Sequence, residues 1–593
     1  MAILGVYEGH NAGAALVSEH SGDVVAVIEE ERFSRIKNHD ARPGGGSLPV
    51  RSIRWCLDRA HEISEPVTAI AIGLMAPDLL QQRAWDHFAE AVSHGEAQRM
   101  HRASELGLDE ATFFQLPRST QTERVANAIE AVRLAGLDPD AVPHYFVEHH
   151  ACHAASFLLA PVDRALVVTL DGKGDDLSGS VWHGRGTNLE PLAMIPTEDS
   201  LGHLYSAATV ACGMRPQRDE GKLMALAAHG TLHQVLYDAL RELISFDAHT
   251  GRPVSGLSRG IVQGPYPDRV ASFHNDRMAG LIEGVERADV ARTVQQVLED
   301  VAIRLVRHHL AATSETSVVV AGGVFANVSL NRRLGQLAEV SELHVHPGMT
   351  DSGIALGAAA WTFAKRQGRR PAPLGNVGLG PAYATDEAVT PFFGAGYRRS
   401  TAQGPAHLQM ARALHAGHVV ARFVGGCEYG PRALGHRSVL APAHCESTLR
   451  DLNVRLGRSQ VMPFAPIVLS AWASLLFADW DALRQPMRFM TTAVTCTDVA
   501  RTEIPAAIHS DGTARPQLVD EGPHSDLADL LAAYWRISGR RGLVNTSFNL
   551  HDEPIVCLPE DAARSASAAR IDVVQIGQEI LVRGADAAEA VAP

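Results

Sequence analysis

Apolar runs interrupted by glycine-rich turns open the chain and predict a hairpin at its beginning. The run ILGVYEGHNAGAALV is followed by a turn at Ser21-Gly22-Asp23 and then by VVAVIEEERFSR. This pattern is typical of an apolar strand, a glycine-broken hairpin and a second strand. The same plan returns in ALVVTLDGKGDDLSGSVWHGRGTNLEPLAMIP, where an acidic, glycine-rich turn separates two strands. The two segments form a weak internal repeat.

A repeat of this kind is one feature of the actin-like ATPase architecture. In that fold two related units face each other, and each aims a hairpin at the phosphates of a nucleotide. Many other α/β proteins contain two such hairpins by coincidence. The repeat alone therefore leaves both an actin-like fold and an unrelated α/β fold open.

Two later strand ends carry residues suited to a ligand. The run SVVVA ends at Gly322-Gly323, and a helical pattern starts near Asn327. Glycines at such a junction let the main chain approach a nucleotide, although a plain tight turn has the same sequence. Asp351 follows the run LHVHPGMT and precedes a helix rich in small residues. An aspartate there is either a helix N-cap or a ligand.

Two histidines four positions apart, His149 and His153, lie in FVEHHACHAAS. If residues 149–156 are helical, both imidazoles lie on one face and can share one metal ion, with Asp171 beside them at the end of the strand ALVVTLD. The alternative is that one histidine is packed in the core and the other lies on the surface. The spacing alone does not separate these readings.

Composition describes an ordinary soluble globular protein. The 593 residues are 46% hydrophobic and 20% charged, enough for two or three domains. A net charge of -14 without basic runs argues against a nucleic-acid partner. The seven cysteines form no C-x-x-C motif, which indicates a reducing compartment. Without a signal peptide or a membrane-spanning run, we expect a cytoplasmic protein with no membrane partner.

A Pro/Gly-rich stretch at residues 366–385 predicts a linker between domains at 1–365 and 386–593. In the second domain, CEYGPRALGHRS places Arg432 and Arg437 on either side of a turn, where two guanidinium groups can converge on one oxyanion. Arg515 in TARPQ, together with Asn545 and Ser547 after an apolar LV, can complete such a cradle. Each arginine taken alone is more typical of a surface residue.

Ordered motifs along nearly the whole chain resemble the O-carbamoyltransferase family of natural-product and nodulation-factor biosynthesis. They are GHNAGAALV, EEERFSRIK, HHACHAAS, LDGKG, EGKLMALAAHG, AGGVFANVSLN, TDSGIALGAA, GPRALGHRSVL, MPFAP, TARPQ and LVNTSFNLHDEPIV. The N-terminal part of that family is similar to the tRNA threonylcarbamoyl-adenosine transferase. The resemblance implies an α/β protein with an actin-like, duplicated N-terminal domain and a YrdC-like C-terminal domain. It also implies that His149, His153, Asp171 and Asp351 hold a metal ion.

The resemblance implies ATP-dependent transfer of the carbamoyl group of carbamoyl phosphate, through carbamoyl-adenylate, to a hydroxyl of a small molecule such as an antibiotic or a sugar-bearing metabolite. His10 is the expected base for that hydroxyl. The residues expected at ATP or carbamoyl-adenylate are Lys37, Lys222, Gly322, Gly323 and Asn327. Those expected at carbamoyl phosphate are Arg432, Arg437, Arg515, Asn545 and Ser547. The expected metal is Fe²⁺ or another first-row divalent ion, with Mg²⁺ accompanying ATP.

Two departures from the family pattern stand out. Asn11 follows His10 where the family more often has aspartate, and Met462 precedes Pro463 where it commonly has arginine, leaving Arg455 and Arg458 as possible contacts. The stretches 75–140 and 245–290 carry no family motif and are candidates for acceptor recognition. A tRNA-modifying enzyme and a non-catalytic nucleotide-gated scaffold remain alternatives. The acceptor, attack by oxygen or nitrogen, and the oligomeric state stay open.

Overall fold

The computed structural model describes residues 1–42, 45–83, 110–255, 277–458, 464–522 and 525–592. These residues divide into two compact units. The first consists of Met1–Glu30 with Asn38–Leu374, and the second of Glu31–Lys37 with Gly375–Pro593. The predicted linker, 366–385, spans the point at which the chain passes from one unit to the other. Part of each motif-free stretch, and the segment around Met462, lie outside the described residues.

The first unit opens with a five-stranded mixed sheet. Its strands are β1 (Ala2–Tyr7), β2 (Gly13–Ser18), β3 (Val24–Glu29), β4 (Val67–Ile72) and β5 (His144–Phe146). Their order is β3-β2-β1-β4-β5, with antiparallel pairing along β1, β2 and β3 and parallel pairing of β4 with β1 and β5. Every residue of β1 and β2 is buried, which agrees with their unbroken apolar sequences.

The second sheet of this unit repeats the first. Its strands are β6 (Arg164–Gly174), β7 (Leu177–Arg185), β8 (Asn188–Pro196), β11 (Ser317–Ala321) and β12 (Glu342–Val345); the small pair β9 (Ile244–Asp247) and β10 (Arg252–Ser255) lies between them in sequence. The order β8-β7-β6-β11-β12 has the same antiparallel and parallel pairings at corresponding places. The predicted internal duplication is therefore confirmed, with five strands in each repeat.

Helices connect and cover these strands. In the first unit they are Val50–Glu62, Glu110–Ala135, His149–Ala154, Leu201–Ala211, Glu220–Ala227, Gln234–Leu243, Arg287–Thr313, Val328–Gly335 and Ile354–Gln367. Helix Ile354–Gln367 packs very closely on its neighbours because of its small residues. A Cβ on Gly5 of β1 would lie 2.0 Å from the carbonyl oxygen of Ala355, and a Cβ on Gly357 would lie 2.1 Å from that of Cys152. This helix thereby brings the first sheet, the histidine helix and Asp351 together.

The second unit contains a larger mixed sheet. Its strands and an accompanying two-stranded ladder are β13 (Arg398–Arg399), β14 (Val420–Phe423), β15 (Arg437–Pro442), β16 (Ala465–Leu469), β17 (Val494–Thr495), β18 (Thr513–Ala514), β19 (Gln517–Val519), β20 (Gly542–Ser547), β21 (Val573–Ile576) and β22 (Glu579–Val582). The sheet order is β13-β22-β21-β14-β15-β20-β16-β19, and β17 pairs with β18. Both units are thus mixed α/β, as predicted; the YrdC-like character of the second stays a prediction.

The helices of the second unit are Glu31–Ser34, Thr385–Gly394, Ala406–His415, Glu446–Arg455, Ala473–Leu476, Arg484–Arg488, Asp498–Glu503, Asp526–Ser538, Pro559–Ala568 and Ala585–Ala590. The first of them belongs to a segment that leaves the first unit directly after β3. Arg32 donates to the carbonyl oxygen of Gly430 at 2.7 Å, and Arg35 donates to those of Pro554 and Ile555 at 2.8 Å. These bonds explain why seven residues from the N-terminal region fold with the C-terminal unit.

Among the described residues, no helix combines the length and the apolar character needed to cross a membrane.

Candidate functional site

The four predicted metal ligands lie together in the first unit. One donor atom from each of His149, His153, Asp171 and Asp351 lies within 4.8 Å of the others. The Nε2 of His153 is 3.1 Å from Asp171 Oδ2 and 3.7 Å from Asp351 Oδ1, and the Nε2 of His149 is 3.9 and 3.6 Å from the same two atoms. All four donors therefore face one point.

The histidine helix begins at His149, the first residue of the pair. Glu148 is its N-cap, and the Glu148 carboxylate accepts the backbone N–H groups of His150 and Ala151. Regular α-helix ends at Ala154, with a 3₁₀ turn over Ala155–Leu159, so the predicted helix over 149–156 is shorter than expected. The i, i+4 spacing falls inside the helical part. Both imidazoles consequently lie on the face turned to β6.

The donor set fits a first-row divalent ion. Both imidazoles are buried, both carboxylates are half-buried, and His149 Nε2 is a buried nitrogen without a hydrogen-bond partner among the described residues. Donors that share an ion through bonds of about 2.0–2.2 Å lie close to these separations. Mixed imidazole and carboxylate ligands suit zinc, iron, nickel or copper, whereas magnesium prefers oxygen ligands alone. The four clustered side chains therefore fit the predicted first-row divalent ion, but they do not distinguish iron from the other metals.

The protonation of the cluster follows from its charges. Burial disfavours the charged form of His153, but hydrogen bonds from its ring to Asp171 and Asp351 outweigh burial and raise its pKa to about 9. Burial also opposes the charge of Asp171, yet contacts with His149 and His153 hold its pKa well below its ordinary value. Asp171 is thus ionised at neutral pH, which is the form that binds a cation.

Glycines allow the backbone around the cluster to pack closely against the ligand side chains and their strand. A Cβ on Gly174 would lie 2.1 Å from the His149 ring, and a Cβ on Gly323 would lie 2.9 Å from Asp171 Oδ1. Gly322 has φ of 103°, and its Cβ would lie 2.2 Å from the carbonyl oxygen of Leu170 on β6. The Gly322-Gly323 pair therefore lets β11 approach the metal-ligand strand closely, which is a packing requirement beside the predicted nucleotide contact.

His10 lies in the turn between β1 and β2, where Asn11 is left-handed with φ of 58°. It forms an isolated bridge to Asp40, and its Nδ1 is 4.0 Å from Asp40 Oδ2. Arg42 Nε donates to both oxygens of Asp40 at 2.9 and 3.0 Å. Asp40 therefore provides a carboxylate beside His10, whereas the family more often has an aspartate at the position of Asn11. The sequence did not indicate this partner of His10.

A second cluster in the second unit consists of three arginines. Burial lowers the pKa of Arg432 and that of Arg458 to about 10 each. Burial, followed by the charges of Arg432 and Arg458, lowers the pKa of Arg515 well below its ordinary value. Nε of Arg432 and Nη1 of Arg515 are buried nitrogens without a hydrogen-bond partner among the described residues. Unpaired donors on neighbouring cations are the arrangement that an oxyanion satisfies.

Polar residues of β20 border the arginine cluster. Asn545 Nδ2 donates to the carbonyl oxygen of Ala433 at 3.1 Å and to Gln517 Oε1 at 2.7 Å, while its buried Oδ1 has no partner among the described residues. Ser547 Oγ accepts from Arg458 Nη2 at 2.9 Å. Asn545 therefore touches the direct neighbour of Arg432, and Ser547 holds Arg458, as expected for members of one site.

Two family descriptions match the chain. "Carbamoyltransferase N-terminus" matches residues 2–360, and "Carbamoyltransferase C-terminus" matches residues 411–583. The chain belongs to the carbamoyltransferase family. The first match contains the four clustered metal-ligand candidates, and the second contains all three clustered arginines. The predicted enzyme class is therefore confirmed.

Relatives of this carbamoyltransferase include two rhizobial proteins. "Nodulation protein NolNO" of Sinorhizobium fredii is 29% identical over 589 residues, 96% of this chain and 79% of NolNO. "Nodulation protein NolO" of Bradyrhizobium diazoefficiens is 32% identical over 445 residues, 73% of this chain and 78% of NolO. A solved structure, component A of the (R)-2-hydroxyglutaryl-CoA dehydratase of Acidaminococcus fermentans, covers 62% of this chain and 100% of its own, at 16% identity and a TM-score of 0.34. A likeness that low supports no conclusion.

Three of the predicted nucleotide residues have contacts or positions that do not depend on a nucleotide. Asn327 is the N-cap of helix Val328–Gly335, and its side chain also exchanges hydrogen bonds with Gln295. Lys222 forms a 2.8 Å ion pair with Asp219. Lys37 is exposed and belongs to the segment that folds with the second unit. Their contacts with a nucleotide stay predictions, and none of the three lies among the clustered metal-ligand candidates.

Arg437 departs from the expected pairing with Arg432. Its two Nη atoms donate to four backbone carbonyl oxygens, and its guanidinium group stacks 3.8 Å from the centroid of the Phe423 ring. Glu428 Oε1 accepts the N–H groups of Leu434, His436 and Arg437, which bends the chain between the two arginines. The terminal donors of Arg437 are occupied. Arg458, which the sequence left only as a possible contact, takes its place in the arginine cluster.

Proposed function

We propose that this carbamoyltransferase moves the carbamoyl group of carbamoyl phosphate to a hydroxyl of a small-molecule acceptor, through a carbamoyl-adenylate made with ATP. The observation that carries the proposal is the placement of two unlike sites in two units. A cluster of cations with unpaired donors lies in the second unit, and a cluster of imidazoles and carboxylates lies in the first. The former suits the phosphate of the donor, and the latter suits a metal-assisted reaction of a nucleotide.

The first step takes place in the second unit. Arg432, Arg458 and Arg515 bind the phosphate group, and Oδ1 of Asn545 accepts a hydrogen bond from the carbamoyl NH₂ group. Water cleaves carbamoyl phosphate into carbamate and inorganic phosphate. Because guanidinium groups stabilise the charge that develops on the leaving phosphate, the buried arginines favour this cleavage.

The second and third steps take place in the first unit. Carbamate oxygen attacks the α-phosphate of ATP, which forms carbamoyl-adenylate and releases pyrophosphate. A divalent ion held by His149, His153, Asp171 and Asp351 supplies Lewis acidity toward phosphate and carbonyl oxygens. The acceptor hydroxyl then attacks the carbamoyl carbon, His10 accepts its proton, and AMP leaves. Asp40 stabilises the imidazolium that forms on His10.

The nucleotide products test this route. Purified enzyme with carbamoyl phosphate, ATP and a divalent ion should release pyrophosphate, and should release AMP once an acceptor hydroxyl or water takes the carbamoyl group; both products are measured by anion-exchange chromatography. Production of ADP and phosphate alone would overturn the adenylate route. Mass spectrometry of hydroxylated metabolites after incubation, with a search for one added carbamoyl group, tests the transfer.

A pair of histidine variants separates the last two steps. His10→Ala should still release pyrophosphate and form the adenylate, but it should carbamoylate no acceptor because the hydroxyl proton has no base. His20→Ala is the matched control, since His20 is exposed in the turn after β2. Equal transfer by His10→Ala and His20→Ala would remove His10 from the mechanism.

A further inference from the structure

Tyr7, the last residue of β1, contacts two of the four clustered ligands. Its hydroxyl donates to Asp351 Oδ2 at 2.9 Å, and its ring meets the ring of His149 edge-on at a centroid distance of 6.0 Å. Tyr7 is 3% exposed. The phenol is thus enclosed beside the cluster and joined directly to it.

The two carboxylate oxygens of Asp351 have different contacts. Oδ2 accepts from Tyr7, whereas Oδ1 lies 3.6 Å from His149 Nε2 and 3.7 Å from His153 Nε2. The two oxygens of Asp171 also differ in their contacts, because Oδ1 accepts the N–H of Gly172 at 2.6 Å and Oδ2 faces the imidazoles. Each carboxylate therefore has one oxygen held by the protein and one directed to the common point.

From this geometry we infer that Tyr7 is a positioning residue that holds Asp351 as a monodentate metal ligand through Oδ1. The inference rests on the metal site of the proposed function. The cluster then provides four donor atoms, two imidazole nitrogens and two carboxylate oxygens. An ion that accepts six ligands keeps two positions for oxygens of the substrates. A bidentate Asp351 would occupy one of those positions.

Gly9 makes room for this arrangement. A Cβ on Gly9 would lie 2.2 Å from the Tyr7 hydroxyl oxygen. Any larger residue at position 9 would displace the phenol. Gly9→Ala therefore provides a second way to break the Tyr7 contact while retaining the hydroxyl group.

The test is Co²⁺ binding to the metal-free protein, followed by the visible absorption of the bound ion. Tyr7→Phe should bind one Co²⁺ about 10- to 100-fold more weakly than the wild type, as is usual when a hydrogen-bond partner of a ligand is removed. Its absorption should differ from that of the wild type because the second Asp351 oxygen enters the coordination shell of the bound ion. Gly9→Ala should reproduce both changes. Tyr205→Phe is the control: it removes a buried hydroxyl that donates to Gln295.

The outcomes separate this inference from the metal site on which it rests. If the wild type binds one Co²⁺ and Tyr7→Phe matches it in affinity and absorption, the role of Tyr7 is overturned and the metal site stands. If the wild type binds no Co²⁺, both are overturned. Thermal melting compared with Tyr205→Phe distinguishes weaker binding from loss of the fold, because a purely structural loss would lower the Tm without changing the absorption of the bound ion.

Discussion

Arg515→Met should make the metal-free, ligand-free enzyme more stable while weakening its affinity for carbamoyl phosphate. Arg515 carries a buried Nη1 without a hydrogen-bond partner among the described residues, and its pKa is lowered by burial and by the charges of Arg432 and Arg458. Methionine keeps an unbranched apolar side chain in the same space. It removes the unpaired donor and the repulsion between the cations.

The expected magnitudes follow from these contacts. An unsatisfied buried donor costs about 1–3 kcal/mol, so removing it should raise the free energy of unfolding by a comparable amount. In a domain of this size each kcal/mol shifts Tm by about 2–4 °C. A hydrogen bond to a charged ligand contributes about 1.5–3 kcal/mol, so the affinity for the phosphate group should fall by about 10- to 150-fold.

Arg437→Met is the matched control because Arg437 lies in the same unit, is fully buried and has both Nη atoms hydrogen-bonded, although its Nε has no partner among the described residues. Its loss leaves backbone carbonyl oxygens without donors and should destabilise the enzyme by about 3 kcal/mol or more. Differential scanning calorimetry measures both variants. Isothermal titration calorimetry with fresh carbamoyl phosphate, and with inorganic phosphate as a stable probe, measures the affinity.

The sign of the change in unfolding free energy on Arg515→Met distinguishes an anion-binding arginine from a structural one. A site built to bind an anion is strained without it, whereas a structural arginine is not. If Arg515→Met lowers Tm as Arg437→Met does and binds phosphate like the wild type, Arg515 is a structural residue and the anion site is refuted.

Three further changes test other parts of the structure. Gly357→Val should destabilise the first unit by about 3 kcal/mol, since its Cβ would lie 2.1 Å from the Cys152 carbonyl oxygen; an unchanged urea midpoint would contradict this packing. Glu428→Ala should lower stability by about 2 kcal/mol or more and weaken phosphate binding, because three N–H groups lose their acceptor; calorimetry should show both losses. Asp40→Asn should slow acceptor carbamoylation by about tenfold or more while pyrophosphate release in the first turnover stays constant; equal slowing of both would remove Asp40 from a specific role in the transfer step.

The sequence was informative where chemistry is encoded locally. The spacing of His149 and His153 places both on one helical face, Asp171 lies near the end of β6, and Asp351 follows β12 by six residues. These local signals left other readings open, and the full four-residue cluster was predicted from the resemblance to the carbamoyltransferase family. The duplicated strand order was likewise visible as two similar apolar and glycine-rich runs.

Contacts between distant segments left no such signal. Tyr7 and Asp351 are 344 positions apart, and neither the apolar end of β1 nor the TDSG motif indicates that they meet. Arg432 and Arg437 illustrate the opposite error. They are close in sequence, but the bend held by Glu428 separates their side chains, which only the three-dimensional course of the loop could reveal.

The charge balance of the two clusters gives an independent argument for what each one binds. In the first unit, two carboxylates face two imidazoles, and ligands of these types bind metal as carboxylate anions and neutral imidazoles, so a divalent cation brings the cluster to zero net charge. In the second unit, three half-buried arginines carry positive charge, and two of them, Arg432 and Arg515, have a buried nitrogen without a partner among the described residues; a phosphate dianion removes most of that charge. Because buried charge is costly unless compensated, each cluster is stable with a ligand of one sign. This difference in charge supports the proposal that the carbamoyl donor binds in the second unit and that the metal-assisted steps take place in the first.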